Sequence, residues 1–214
     1  MYATNRSALN WLPAIGAGLI LAAPLGAWAQ SLAGAPLLKA LQGGGYVLVM
    51  RHGSSPRTPP DAQMADLENL QHERQLDEAG RSTVRAMGEA LRRLHIPIGE
   101  VDASPTYRAL QTVKLAQLGT ARTFAELGEG GQGMQADASG ARGAWLRAKA
   151  AESPKVGQNR VIVTHFPNIT EAFGQSAAAL ADGEALVVRP DGKGGASVVA
   201  RVRIEEWPHL DGTP

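Results

Sequence analysis

The sequence predicts one α/β domain built on a largely parallel sheet. Two continuous apolar, β-branched runs, residues 46–50 and 161–164, read as strands buried on both faces. Stretches with helical periodicity lie between the apolar runs, and that alternation is the pattern of strands joined by crossover helices. The chain has 214 residues, 44% hydrophobic and 19% charged, enough for a core of ordinary size.

The first 29 residues stand apart. Residues 1–10 carry Arg6 and no acidic group, residues 11–25 are apolar, and Ala27-Trp28-Ala29 places small residues two apart. This predicts a secretory leader cleaved after Ala29, leaving residues 30–214 as the domain and a secreted or periplasmic location. The apolar stretch falls short of the roughly 20 residues that span a bilayer. Pro13 and Pro24 interrupt it further, so stable membrane insertion after processing is not expected. The absence of cysteine excludes thiolate nucleophiles and cysteine-ligated zinc, and it leaves the core without disulfide support. A net charge of +1, with both signs interspersed, gives no basis for a nucleic-acid partner. The sequence is silent on oligomeric state.

Within the domain, residues 46–50 follow three glycines and form the expected central strand. Residues 54–75 hold Pro56, Pro59 and Pro60 and read as a long loop, a length usually retained for function. Asp77 is placed to cap a helix reaching about Leu94, with Val84, Met87, Leu91 and Leu94 on one face. Residues 100–103 read as a short strand. Ser104-Pro105 is expected to open a helix to about Leu118, with the proline in its first turn. Residues 124–134 are glycine-rich and irregular. Residues 138–151 read as a helix contributing Trp145 and Leu146 to the core. The strand at 161–164 is followed by a helix over 168–180, capped by Asn168. Residues 185–189 and 197–204 close the domain as a hairpin about Pro190-Asp-Gly.

Ligands bind beyond the carboxyl ends of strands in such sheets, and the reactive residues sit there. Arg51, His52 and Gly53 end one strand, His165 ends another, and Ser104 and Arg108 follow a third. Each guanidinium offers a planar fork of donors to phosphate oxygens. His52 beside two such cations is expected to lose its proton and keep a free lone pair for attack on phosphorus. His165 is expected to donate to an equatorial oxygen, and Gly53 to leave room for the phosphate. A metal-dependent site is not expected, because no His-x-His or His-x-x-x-His spacing occurs.

The strings VMRHG (49–53), SPTYRALQT (104–112) and VIVTH (161–165), with RQLDEAGR (74–81), resemble the histidine phosphatase superfamily, the phosphoglycerate mutase-like proteins. The resemblance runs from about residue 45 to 207. It implies a three-layer α/β/α fold with a mostly parallel central sheet. It also implies a cofactor-free phosphoric monoester hydrolase in which His52 becomes a phosphohistidine and Arg51, Arg108 and His165 complete the phosphate pocket. By motif position it implies a glutamate as general acid, Glu126 in the context Glu-x-x-x-Gly, with Glu129 as the competitor. A carboxylic acid is needed because an alkoxide leaves poorly unless protonated. Arg57, His72 and Arg74 lie in or beside the long loop, with substrate contact or an ordinary surface place open to each. Residues 164–169 and 184–192 resemble exported members proposed to act on phosphorylated envelope sugars, which implies a small-molecule or glycan phosphate ester as substrate. The alternatives are a phosphohistidine-specific phosphatase, which needs no such acid, and a non-catalytic phosphate-binding protein of the same fold.

Overall fold

A computed structural model describes Met1 and residues 31–129 and 139–213. The proposed leader and its cleavage site lie outside the described residues, as do residues 130–134 of the glycine-rich stretch. The elements are α1 (Gly34–Gln42), β1 (Val47–Arg51), α2 (Glu78–Arg93), β2 (Ile98–Ala103), α3 (Tyr107–Ala116), β3 (Ala121–Thr123), α4 (Ser139–Ala151), β4 (Asn159–Thr164), α5 (Phe166–Phe173), β5 (Ala185–Pro190) and β6 (Ala196–Val202). The sheet runs β3-β2-β4-β1-β5-β6. Strands β1 to β4 pair in parallel, and β5 and β6 add an antiparallel edge.

Side chains of the central strands alternate between two cores, as a period of two requires. Leu48, Met50, Val161, Val163, Ala185 and Val187 join α1, α2, α3 and Trp207 on one side. Val47, Val49, Ile162, Leu186 and Val188 join Leu127, Leu146 and Ile169 on the other. The expected three-layer α/β/α fold is present. No helix among the described residues is long and apolar enough to cross a membrane.

Several boundaries differ from expectation for local reasons. The helix expected from Ser104 begins at Tyr107, and Pro105 precedes it. Ser104 is still held by the sheet, its N–H donating to Val163 O, while its Oγ accepts from Thr106 N, so the chain turns before it coils. The helix after β4 begins at Phe166, with His165 as its N-cap and Pro167 in its first turn. Asn168 therefore lies inside α5 and is not its cap. Gly174 ends that helix, and a 3-10 turn (Gly174–Ala177) replaces the last expected turns. Helix α1 was not read from the sequence, although Leu37 and Leu41 repeat at a spacing of four and both are buried. Strand β3 was also missed, since three mostly exposed residues carry no hydrophobic pattern.

Helices α2 and α3 approach closely at Gly88. A Cβ added there would lie 2.1 Å from Ala116 O, so Gly88 is required by the helix contact. Gly88→Ala is expected to destabilise the protein by about 1–3 kcal/mol, despite alanine's better helix propensity. An unchanged urea midpoint would contradict the contact.

Candidate active site

The sheet order creates the site. From β1 the chain moves outward through α2, β2, α3 and β3, then returns through α4 to place β4 between β2 and β1. Helices α2 and α3 cover one face, while α4 and α5 cover the other. Segments leaving β1 and β4 therefore diverge to opposite faces and open a crevice at neighbouring carboxyl ends. Register places Arg51 beside Thr164, so the following residues, His52 and His165, stand level. Their ring centroids are 5.3 Å apart, at an interplanar angle of 65°.

Hydrogen bonds fix both imidazole tautomers. His52 Nδ1 lies 2.7 Å from Gly53 O. A carbonyl only accepts, so Nδ1 carries the hydrogen. His52 Nε2 lies 3.2 Å from Arg108 Nε, which only donates, so Nε2 presents its lone pair. Burial, helped by the charges of Arg108, Arg51 and Arg74 and opposed by the Gly53 hydrogen bond, lowers the His52 pKa to about 3. The expected direction holds, with burial rather than the arginines as the largest cause.

The same logic gives His165 the opposite tautomer. Its Nδ1 lies 3.2 Å from Arg108 Nη2, and its Nε2 lies 2.9 Å from Ser104 Oγ. Nδ1 is thus the acceptor and Nε2 donates. Burial, then Arg108 and His52, hold His165 well below the usual histidine range. Donation to a phosphoryl oxygen, the part expected of this residue, would come from Nδ1 only after His165 gains a proton or exchanges tautomer against the Ser104 hydroxyl.

The arginines are held in different ways. The Arg108 side chain is 3% exposed and paired with Glu129, and burial lowers its pKa. Arg51 Nη1 donates to Leu180 O at 3.1 Å, and its Nη2 pairs with Asp182 Oδ1 at 2.6 Å. Arg51 Nε is buried without a hydrogen-bond partner among the described residues. Arg74 reaches the same crevice: its Nε donates to Pro56 O at 2.6 Å, and its Nη1 lies 3.8 Å from Glu129. Arg57 and His72 are exposed.

The structure separates the two glutamates. Glu126 lies in a 3-10 turn (Ala125–Leu127) and is exposed, joining neither Arg108 nor Arg74. Glu129 contacts both. The turn is anchored by Asn168, whose Nδ2 donates to Gly128 O at 3.0 Å and to Thr164 Oγ1 at 3.1 Å. Gly53 also has a packing reason: a Cβ there would lie 2.7 Å from Val84 Cγ2. The absence of a side chain admits helix α2 at close range.

Sequence reasoning missed several supporting residues. Thr112 Oγ1 accepts from Gly53 N at 3.1 Å and donates to Arg108 O at 2.9 Å, linking the first strand's end to α3. Asp66 accepts from Arg81, from the Tyr107 hydroxyl at 3.1 Å and from Gln111 Nε2 at 2.7 Å, tying the long loop to α2 and α3. Burial and Asp66 push the Tyr107 hydroxyl up to about 12. The Gln-Thr of the 104–112 string was the available signal for Gln111 and Thr112. Asp66 and Asp182 carried none. Among the described residues no group of three or more histidines and carboxylates is placed to hold a metal ion.

Solved structures share this architecture. A protein histidine phosphatase, SixA, complexed with tungstate, aligns over 75% of this chain and 98% of its own, at 20% identity and a TM-score of 0.56. The fold is that of the histidine phosphatases. A phosphoserine phosphatase mutant from Entamoeba histolytica, in complex with phosphoserine, aligns over 75% of this chain and 98% of its own, at 12% identity and a TM-score of 0.50. No family model matches the sequence, and no curated protein matches it.

The buried histidine makes stability depend on pH. Unfolded, His52 binds a proton near 6.5; folded, it does so only near 3. Stability is complete above 6.5 and is lost as pH falls from there toward 3, because the unfolded state takes up the proton. At full slope this amounts to about 1.4 kcal/mol per pH unit. His52→Gln is expected to flatten urea-unfolding stability between pH 6 and 4 by about that slope, and an unchanged slope would contradict the buried neutral imidazole.

Proposed function

We propose that this chain is a phosphatase that transfers a phosphoryl group from a phosphomonoester to His52 Nε2 and then to water. The observation that carries it is the neutral His52 imidazole, its Nδ1–H held by Gly53 O and its Nε2 lone pair facing Arg108 beside His165. Arg108 and Arg51 grip the phosphoryl oxygens, Arg108 taking up the charge that grows in the transition state. His165, once protonated, donates from Nδ1.

In the first step the Nε2–P bond forms as the ester P–O bond breaks. We assign the proton donor to Glu129, because it touches the phosphate-gripping arginine and Glu126 does not. Its O–H proton passes to the leaving alkoxide. In the second step water attacks phosphorus, its proton returns to Glu129, and the N–P bond breaks to release inorganic phosphate and neutral His52. Fold likeness to SixA favours a second reading, dephosphorylation of a phosphohistidine, in which the leaving imidazole needs no carboxylic acid. The leader-like residues 1–29 and the strings at 164–169 and 184–192 favour an exported enzyme acting on a phosphorylated envelope sugar.

His52→Ala is expected to abolish hydrolysis of an aryl phosphate while preserving the thermal transition; turnover near that of wild type would end the phosphohistidine mechanism, and a wild type that binds phosphate without turnover would leave the non-catalytic alternative. Glu129→Gln is expected to slow alkyl phosphates by roughly 100-fold or more and aryl phosphates far less, since only a poor leaving group needs the acid. Equal losses on both substrates would move the proton donor elsewhere, and a preference for phosphohistidine with no effect of Glu129→Gln would favour the second reading.

A further inference from the structure

Arg108 is a buried cation with two of its three nitrogens engaged among the described residues. Nε reaches His52 Nε2, and Nη2 reaches both His165 Nδ1 and a Glu129 carboxylate oxygen. Both histidines are neutral, so Glu129 alone of these partners carries compensating charge. A buried guanidinium without an anion is costly, and the crevice holds two further cations, Arg51 and Arg74. Asp182 answers Arg51, while Glu129 answers Arg108 with Arg74 nearby.

A phosphoryl group placed between Arg108 and His165 meets Nη2, the nitrogen that faces His165 Nδ1 and that Glu129 holds. Arg108 is 3% exposed and Glu129 39%, so the glutamate is the partner free to leave. We propose that Glu129 is an internal occupant of the phosphate site: an entering oxyanion displaces its carboxylate from Arg108, and the displaced carboxylate takes a proton from solvent. This rests on the reading of the crevice as a phosphoryl pocket and deepens it.

The groups facing Glu129 set the direction of the proton movement. Arg108 faces it from α3 and Arg74 from the long loop. Behind Arg108 stand His52 at the end of β1 and His165 at the end of β4. Glu73, bonded to Tyr107 N, and the Arg51–Asp182 pair lie around them. While Glu129 sits on Arg108 its carboxylate faces two cations. Beside a dianion that has taken those cations, its charged form is disfavoured. One O–H bond then forms on the carboxyl, with the proton drawn from solution, and that hydrogen is the one the leaving group needs. Binding itself arms the acid.

The test is tungstate binding to the full chain at neutral pH, where tungstate remains a dianion, by titration calorimetry in buffers of different protonation enthalpy. Wild type is expected to take up about one proton more than Glu129→Gln. Its affinity should fall with rising pH about tenfold more steeply per unit, so that at pH 8 the variant binds at least as tightly as wild type. Equal proton uptake, or weaker binding by Glu129→Gln at pH 8, would overturn the proposal. In wild type alone, tungstate is expected to add a protonated-carboxyl band to the infrared difference spectrum, and its absence would overturn the proposal even if the variant fails to fold. Failure of both proteins to bind tungstate would remove the phosphoryl pocket itself. Binding with proton uptake but no phosphatase turnover would remove the functional reading and leave this inference standing.

Discussion

The parallel pairing of β1 with β4 is the constraint on which the site depends. Because Arg51 and Thr164 are partners, His52 and His165 leave the sheet side by side, and the His52 N–H still donates to Thr164 O at 3.1 Å. A shift of one residue would send one imidazole into the opposite core. The pairing is secured by burial on both faces, where Val49, Met50, Ile162 and Val163 are each 2% exposed or less. The placement of the two imidazoles is thereby a by-product of core packing, and neither histidine requires a loop to hold it.

The second determinant is electrostatic. Three guanidinium groups converge on one crevice, which favours neutral imidazoles and demands anions. Asp182 and Glu129 supply them from segments outside the three motif strings. Both are carboxylates, so two of the three cations are answered from within the chain. Short side chains hold the site without adding charge, Ser104 on His165 and Thr112 between the Gly53 and Arg108 backbones.

The sequence made the central strands, the Asp77 cap and the converging residues legible because each is written locally: apolar runs, a capping residue, and histidines at strand ends. Asp77 does accept from Gly80 N, at 2.7 Å. What was not legible depends on contacts between distant residues. Glu126 and Glu129 are three residues apart, and only the placement of their turn by Asn168 decides which one faces Arg108. Asp66 is one of several acids in a polar loop, distinguished by Arg81, Tyr107 and Gln111 arriving from two helices. Gly53 has a packing reason that only the position of Val84 discloses. Asn168 reads as a cap by type and proves to be a clamp, since the proline before it had already let the helix begin.

Asp66 sits near the middle of the long segment between β1 and α2 and divides it into two shorter spans. The first, from Ser54, carries Arg57 and the prolines; the second carries Leu67, Leu70 and His72, which stand in solvent. Each span is closed at both ends by the fold, so its closure entropy is that of a short loop. Insertions or substitutions in either span leave the other, and the histidines, where they are. Two spans that vary independently are a means by which such a scaffold changes its surface without moving the paired histidines.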